Sequence, residues 1–248
     1  MTIKGAIHAA LRRLGYDLVI FNNADSERRY IDIFERVRPF TISSYERIYA
    51  LVDSTRYVLQ NNISGAFVEC GVYKGGGMMA VALALMAEAV IDRDLYLFDT
   101  FEGMPAPEAR DVDLWGTPAS KTFSRTRISD LSSTWSSCSS EDVARAMAST
   151  GYPRERIHLV KGLAEQTIPD CAPESIAFVR LDTDWYQSTM HELVHLFPRV
   201  SPKGVIIIDD YGHFSGAREA VHEFFGSRKM SPFLHRLDYT ARLIIKND

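Results

Sequence analysis

Acidic residues follow two apolar segments that lie one strand–helix unit apart in the sequence. Asp182 and Asp184 flank Thr183 after IAFVRL, and Asp209 and Asp210 follow VIII. If both segments are parallel strands, their carboxyl ends meet at one edge of the sheet and bring these carboxylates together. Close like charges repel unless a cation lies between them, and hard divalent cations prefer oxygen ligands. The pattern therefore predicts a site for Mg²⁺ or another divalent cation, although Asp is also favoured as a helix cap.

A glycine-rich loop follows an earlier apolar segment. AFVEC (66–70) reads as a buried strand, GVYKGGG (71–77) as a loop, and the apolar residues after it as a helix. The loop lacks the Gly-Lys-Ser/Thr ending of a Walker A sequence and is not a clean G-x-G-x-x-G. Asp99 ends the next apolar segment, LYLFD, where an acidic side chain can accept hydrogen bonds from both ribose hydroxyls. This combination predicts a nucleoside cofactor.

Glu69 narrows the choice of cofactor. It stands inside an apolar strand just before the glycines, and a buried carboxylate is unfavourable unless it is paired. It would repel a pyrophosphate but suits the ammonium group of an amino-acid moiety. We therefore favour S-adenosylmethionine over a dinucleotide.

The remaining pattern alternates strands with helices. It predicts a helix from about 44 to 60, a helix from Glu141 to Thr150, and helices over 186–197 and 217–225. Further strands are expected at 157–161, 176–182 and 205–209, and 233–238 with 241–246 are expected to form a closing hairpin. Such alternation is typical of a three-layer, doubly wound, Rossmann-like α/β fold with a mostly parallel sheet.

Bulk composition excludes several classes of protein. The 248 residues are 46% hydrophobic and 24% charged, with a net charge of −4, so nothing indicates binding to nucleic acid or to an anionic membrane. Three cysteines lack metal-like spacing, and the N-terminus lacks the pattern of a signal peptide. We expect a soluble cytoplasmic protein, and a homo-oligomer is compatible with the sequence.

Four segments carry a family resemblance when taken in order: VECGVYKGGG, LFDTFEGMP, VRLDTDWYQSTMHEL and SPKGVIIIDDYG. Together they resemble the macrocin O-methyltransferase family, over about Thr41 to Ile245. The resemblance implies a class I methyltransferase fold, with a seven-stranded sheet and an antiparallel last strand. It implies one methyltransferase domain over 41–248, preceded by an N-terminal extension over 1–40. Separately, the proline- and serine-rich composition of residues 100–140 predicts a functional loop or lid at about 104–140, or else an ordinary surface insertion.

The resemblance also implies an activity: metal-dependent methyl transfer from S-adenosylmethionine to a hydroxyl of a sugar or sugar-like natural product. The segment TISSYERIYAL resembles a helix that closes over the cofactor. The implied cofactor-binding residues are Glu69, Gly71, Tyr73, Gly75, Asp99, Thr100 and Gly162. The implied metal ligands are Asp182, Asp209 and Asp210.

Two residues are candidates for the general base. By the resemblance, Asp184 matches a carboxylate proposed as the general base in some members of the family, and His213 follows the second acidic run and is of a residue type that titrates near neutrality. Trp185 and Tyr186 either line the acceptor site or pack against the following helix. Two other functions stay open from the residues alone. Asp-Thr-Asp is also the D-x-D pattern of metal-dependent glycosyltransferases, and the site could belong to a non-catalytic nucleoside-binding module.

Overall fold

A seven-stranded sheet forms the centre of the molecule. The structure is a computed structural model and describes residue 7 and residues 27–247. The strand order is β3-β2-β1-β4-β5-β7-β6, with β7 antiparallel to both of its neighbours and the other pairs parallel. The strands are β1 (Ala66–Cys70), β2 (Leu95–Asp99), β3 (Ile157–Lys161), β4 (Ile176–Leu181), β5 (Val200–Ile208), β6 (His235–Arg236) and β7 (Arg242–Ile245).

Helices cover both faces of the sheet. Those of the described residues are α1 (Arg28–Val37), α2 (Tyr45–Gln60), α3 (Gly76–Ala87), α4 (Ala119–Thr126), α5 (Ser140–Ala148), α6 (Ala164–Thr167), α7 (Tyr186–Leu196) and α8 (Ser215–Ser227). Short 3-10 turns occupy Arg38–Phe40, Arg154–Arg156 and Phe197–Arg199.

Alternate residues of the central strands enter two separate cores. Phe67 of β1 packs into the core that contains α1, α2, α3 and α5, whereas Val68 packs into the core that contains α7 and α8. Strands β1 and β4 are buried along their whole length, as expected for parallel strands covered on both faces. The predicted three-layer α/β fold and the closing antiparallel hairpin are confirmed.

The structure contains elements that the sequence pattern did not predict. Helix α1 lies in the N-terminal extension, to which no secondary structure was assigned, and its buried face includes Tyr30 and Phe34. Helix α4 lies within the insertion and begins after Pro118 without a side-chain cap, so the usual N-terminal signal is absent. Strand β5 begins at Val200 instead of 205, because its first residues pair with Ile176 before an irregularity in the register.

One buried residue, Asp111, helps to fasten the insertion to the rest of the domain. The carboxylate of Asp111 accepts hydrogen bonds from the backbone N–H groups of Glu108 and Tyr186, at 2.7 Å and 2.9 Å. Asp111 has no exposed surface, and a Cβ at Gly216 of α8 would lie 1.9 Å from its carboxylate oxygen. The insertion is therefore packed against the N-terminal ends of both α7 and α8.

Membrane-spanning helices were not expected. Among residues 27–247, every helix is too short or too polar to cross a bilayer.

Candidate active site

A cavity of about 720 Å³ opens at the carboxyl ends of β1, β2, β4 and β5. The glycine loop and Asp99 line one part of it, and the two acidic runs line another. This is the edge at which open α/β sheets bind their ligands. The chain therefore brings most of the predicted cofactor residues and all of the predicted metal residues to one cavity.

Three carboxylates converge in this cavity. Asp182, Asp184 and Asp210 each place one carboxylate oxygen within 4.8 Å of the others. We call these three residues the acidic triad. The interpretation of the acidic runs as helix caps is wrong, since the residues that precede α7 and α8 are Trp185 and Phe214 and neither helix has a side-chain cap.

The acidic triad contains carboxyls with raised pKa values and one buried oxygen without a hydrogen-bond partner. Burial, together with the charges of Asp182 and Asp209, raises the pKa of Asp184 to about 7. Burial and the neighbouring Asp184 raise the pKa of Asp210 well above its ordinary value. The Oδ2 atom of Asp210 is buried and has no hydrogen-bond partner. An all-oxygen donor set with an unpartnered atom fits a hard divalent cation.

Asp209, the fourth carboxylate, has a different environment. Arg180 Nε donates to its Oδ1 at 3.0 Å, and Arg47 donates to its Oδ2. Burial acts to raise the pKa of Asp209, but the two guanidinium groups outweigh it and hold the pKa below the ordinary value. Both oxygens of Asp209 are thus paired with cations of the chain, and the group of converging carboxylates consists of Asp182, Asp184 and Asp210.

Arg180 connects the two parts of the site and was not predicted from the sequence. It is buried in β4 and donates to Glu69 Oε1 at 2.6 Å, while its Nη2 lies 2.7 Å from Asp182 Oδ2 and 3.1 Å from Ser43 Oγ. Glu69 of β1 pairs in register with Arg180 of β4. A lone arginine and a lone glutamate in two buried strands were the available signal, because buried charges must be paired.

Glu69 lies behind the cavity wall. It is 1% exposed, it does not line the cavity, and a Cβ at Gly77 would lie 2.2 Å from its Oε1. A direct contact between Glu69 and an ammonium group therefore stays a prediction, and the observed contact of Glu69 is with Arg180.

Asp99 braces the glycine loop. Its Oδ2 accepts from the backbone N–H groups of Val72 and Tyr73 at 2.6 Å and 3.2 Å, and its Oδ1 accepts from Phe101 N–H at 2.7 Å. The Thr100 hydroxyl has one hydrogen and donates it to the backbone oxygen of Gly103 at 2.7 Å, rather than to Asp99 Oδ1 at 3.4 Å. Each carboxylate oxygen offers about two acceptor positions, so Oδ1 keeps one for a ligand hydroxyl.

The other predicted cofactor residues occupy the same region. Gly71 has φ +81°, and a Cβ there would lie 2.0 Å from the backbone oxygen of Asp182, so only glycine fits between β1 and the acidic run. Gly75 precedes α3 with φ +88° but does not line the cavity. Tyr73, Thr100 and Gly162 do line it, and Gly162 N–H donates to the backbone oxygen of Asp99.

The candidate acceptor residues separate into two groups. Trp185 and His213 line the cavity, with Trp185 Nε1 donating to the backbone oxygen of Pro105. Tyr186 points away, since its hydroxyl donates to Glu223 and Arg110 lies over its ring. Trp185 therefore lines the cavity from within a buried aromatic cluster, whereas Tyr186 packs at the surface.

Two further segments complete the wall. The stretch before α2, including Thr41, Ile42 and Ser43, lines the cavity beside Arg47. Met104, Pro105 and Trp135 line it from the insertion. The insertion residues could not be placed from the sequence, because their contacts depend on tertiary anchors such as Asp111.

Comparison with known proteins identifies the family. Residues 10–245 match the family described as Macrocin-O-methyltransferase (TylF). The chain belongs to the macrocin O-methyltransferase family. It is an S-adenosylmethionine-dependent O-methyltransferase, as the resemblance implied. Family membership removes the glycosyltransferase and the non-catalytic module as alternatives.

Individual relatives agree with this assignment. Demethyldecarbamoylnovobiocin O-methyltransferase from Streptomyces niveus is 29% identical over 184 residues, which are 74% of this chain and 67% of the relative. A tetracenomycin 4'-O-methyltransferase from Streptomyces olivaceus, whose substrate name includes a 2,3-dimethoxy-α-L-rhamnosyl group, is 28% identical over 81% of this chain and 73% of its own. The solved structure of the O-methyltransferase NovP superposes with a TM-score of 0.75 and 26% identity, covering 84% of this chain and 83% of NovP.

Proposed function

We propose that this enzyme methylates a sugar hydroxyl of a glycosylated natural product and that a divalent cation at the acidic triad assists the transfer. The observation that carries the proposal is the convergence of Asp182, Asp184 and Asp210 in the cavity that the glycine loop also lines. The names of the relatives from Streptomyces niveus and Streptomyces olivaceus support such an acceptor.

In this proposal the glycine-loop side of the cavity holds the methyl donor. Asp99 accepts a ribose hydroxyl at its remaining acceptor position, and Tyr73, Thr100 and Gly162 line the same region. Gly71 keeps the loop close to the acidic run. Glu69 acts through Arg180, whose guanidinium it holds at 2.6 Å. S-adenosylmethionine supplies an electrophilic methyl group on its sulfonium.

The acidic side of the cavity holds the cation and the acceptor. Asp182, Asp184 and Asp210 provide oxygen ligands, and Asp209 keeps Arg180 and Arg47 in place beside them. When bound, a hard divalent cation such as Mg²⁺ stabilises the negative charge that develops on an acceptor oxygen. For Asp209 to bind the cation directly, its carboxylate would have to break its contacts with Arg47 and Arg180.

Asp184 accepts the proton of the acceptor hydroxyl. Its pKa is about 7 in the chain without a cation, and a bound cation would lower that pKa and keep the carboxylate ionised and able to accept the proton. An O–C bond forms to the methyl carbon as the S–C bond breaks, the sulfonium becomes the neutral thioether of S-adenosylhomocysteine, and the proton passes to the carboxylate. His213 lines the same cavity and is the second candidate, although burial lowers its pKa.

Methyl transfer to a panel of glycosides tests this function. The wild-type enzyme is incubated with labelled S-adenosylmethionine, with Mg²⁺ or with excess EDTA, and with Asp184→Asn as the comparison variant. We expect Mg²⁺-dependent label in the sugar and loss of transfer in Asp184→Asn, with binding of S-adenosylhomocysteine retained. Equal transfer in EDTA would contradict the role of the cation, and label confined to a non-sugar hydroxyl would contradict the acceptor class.

A further inference from the structure

We propose that Trp115, His213 and Tyr239 form a subsite for a planar, apolar aglycone ring attached to the methylated sugar. We call these three residues the aromatic rim. The inference deepens the proposed function and rests on it, because it names the part of the acceptor that lies beyond the sugar. His213 and Tyr239 line the cavity that contains Asp184 and Asp210, and Trp115 adjoins His213 at its mouth.

The three rings form a continuous surface. The centroids of Trp115 and His213 are 5.5 Å apart with an interplanar angle of 84°, and those of His213 and Tyr239 are 6.0 Å apart at 75°. The Tyr239 hydroxyl lies 3.3 Å from His213 Nδ1. Edge-to-face contacts of this kind fix the relative orientation of aromatic rings.

The loop that carries Trp115 is a tight turn. Asp113 Oδ1 accepts from the N–H groups of Trp115 and Thr117 at 2.9 Å and 2.8 Å, and Asp113 N–H donates to the backbone oxygen of Thr117. Gly116 has φ +81°, the region that favours glycine in such a turn. The turn therefore presents Trp115 in a defined position.

The same turn is anchored to the catalytic domain. Asp113 forms a β-bridge with Phe214, the residue after His213. Ser215 Oγ donates to the backbone oxygen of Arg110, and Ser215 N–H donates to that of Val112. Trp115 and His213 are thus held by one connected segment, so a ring bound on the rim has a fixed distance to the acidic triad.

Exposure of the rim shows that residues 27–247 leave it uncovered. Trp115 is 70% exposed and Tyr239 is 51% exposed. Aromatic side chains held rigidly at the mouth of a cavity offer a large contact area at a small loss of conformational entropy. An apolar ring that leaves the cavity next to the sugar would cover this surface.

The charges of the cavity favour an apolar aglycone over a nucleoside diphosphate. Nine of its lining residues carry carboxylates, whereas its two arginines, Arg47 and Arg180, are both paired with carboxylates. A diphosphate would therefore meet uncompensated negative charge and no free guanidinium among the described lining residues.

Matched acceptors test the subsite. For each of several sugars, kcat/KM is measured with the 4-methylumbelliferyl glycoside, the methyl glycoside and the thymidine diphosphate sugar, in wild type, Trp115→Ala and Trp115→Phe. Phe233→Ala serves as the control, because Phe233 is an 81% exposed aromatic residue that does not line this cavity.

We expect wild type to prefer the 4-methylumbelliferyl glycoside over the methyl glycoside by about tenfold, from the usual strength of aromatic contacts. Trp115→Ala should remove that preference and leave the methyl glycoside within about twofold of wild type, while Trp115→Phe and Phe233→Ala should keep it.

Three results would overturn the subsite alone: an equal fall for both glycosides in Trp115→Ala, a higher kcat/KM for the thymidine diphosphate sugar, or a changed oligomeric state of Trp115→Ala in size-exclusion chromatography. The last would make the rim a contact between copies of the chain. Absence of transfer to every sugar in wild type, with S-adenosylhomocysteine still raising Tm, would instead overturn the proposed sugar acceptor and the subsite with it.

Discussion

Asp209 and Asp210 are neighbours in the sequence but have opposite environments. Asp209 contacts Arg180 and Arg47, which hold its pKa below the ordinary value. Asp210 contacts Asp184, and burial together with that second carboxyl raises its pKa well above the ordinary value. Both side chains are buried, so the difference arises from their partners.

This contrast distinguishes a carboxylate that is paired with arginines of the protein from a carboxylate that is available to bind a cation. The charge of Asp209 is compensated within the chain, and removing it would take one carboxylate partner from each of two guanidinium groups. The charge of Asp210 is not paired in this way, so its electrostatic attraction for a bound cation is not offset by an arginine. Strongly perturbed carboxyls in a cavity are typical of functional sites.

The largest expected effect is on catalysis. Asp210→Asn removes a ligand from the acidic triad while preserving the shape of the side chain, and we expect kcat/KM to fall by about 10³-fold, as for the loss of a group that stabilises developing charge. Steady-state methyl transfer measures the loss. Binding of S-adenosylhomocysteine by calorimetry is the control and should be unchanged. Activity within a few-fold of wild type would show that Asp210 does not serve the reaction.

The second-largest expected effect is on stability and concerns Arg180, which pairs with Asp209. Arg180→Gln leaves Glu69 and Asp209 buried without their principal cation, and we expect the free energy of unfolding to fall by about 3 kcal/mol. Urea denaturation monitored by circular dichroism measures the change. Arg110→Gln, at a half-exposed arginine outside the cavity, should change the free energy by less than about 1 kcal/mol. Similar small losses in both variants would mean that Arg180 does not organise the site.

The third effect is a pH dependence of cation binding. Asp184 has a pKa of about 7 in the folded chain against an ordinary 3.8. Between these values the folded state holds a proton that the unfolded state has lost, so the contribution of this group to stability falls as pH rises through that window. Mg²⁺ must displace this proton, so its affinity should increase as pH rises toward about 7.

Thermal unfolding checks this pH dependence. The increase in Tm on addition of Mg²⁺ should be larger at about pH 8 than at about pH 5.5. Asp184→Asn should remove the difference between the two pH values. An equal Mg²⁺-induced shift at both pH values in wild type would contradict the assignment of this proton to the cation site.

The smallest effect concerns a buried carboxyl that has no cation. Glu192 of α7 has no exposed surface, its Oε1 accepts from the Thr183 hydroxyl at 2.9 Å, and burial raises its pKa well above the ordinary value. A neutral carboxyl is closely mimicked by an amide, so Glu192→Gln should change the free energy of unfolding by less than about 1 kcal/mol. Urea denaturation measures the change in free energy. A loss as large as that of Arg180→Gln would show that Glu192 is ionised and paired, as Asp209 is.

Much of the fold followed from local patterns in the sequence. Strands β1, β2 and β3 begin and end where the sequence predicts, because each is a short, mostly apolar run bounded by polar residues or glycine. The polar helices α1 and α4 were missed, since their stability depends on tertiary packing and neither begins with a side-chain cap.

The location of the site could be predicted from the sequence, but the partners of its carboxylates could not. The sequence placed the acidic runs and the glycine loop at one edge of the sheet, because strand ends fix those positions. It could not distinguish Asp209 from Asp210, since the distinction depends on Arg47, which reaches Asp209 from α2 across 162 positions of the sequence. Partners supplied by distant elements leave no local signal.

Calorimetric titration of Mg²⁺ into the protein saturated with S-adenosylhomocysteine tests the central claim most directly. We predict one Mg²⁺ site in wild type, loss of that site in Asp210→Asn, and retention in Asp130→Asn, which removes an exposed cavity carboxylate already paired with Arg127. The same Mg²⁺ affinity in Asp210→Asn as in wild type would contradict the account.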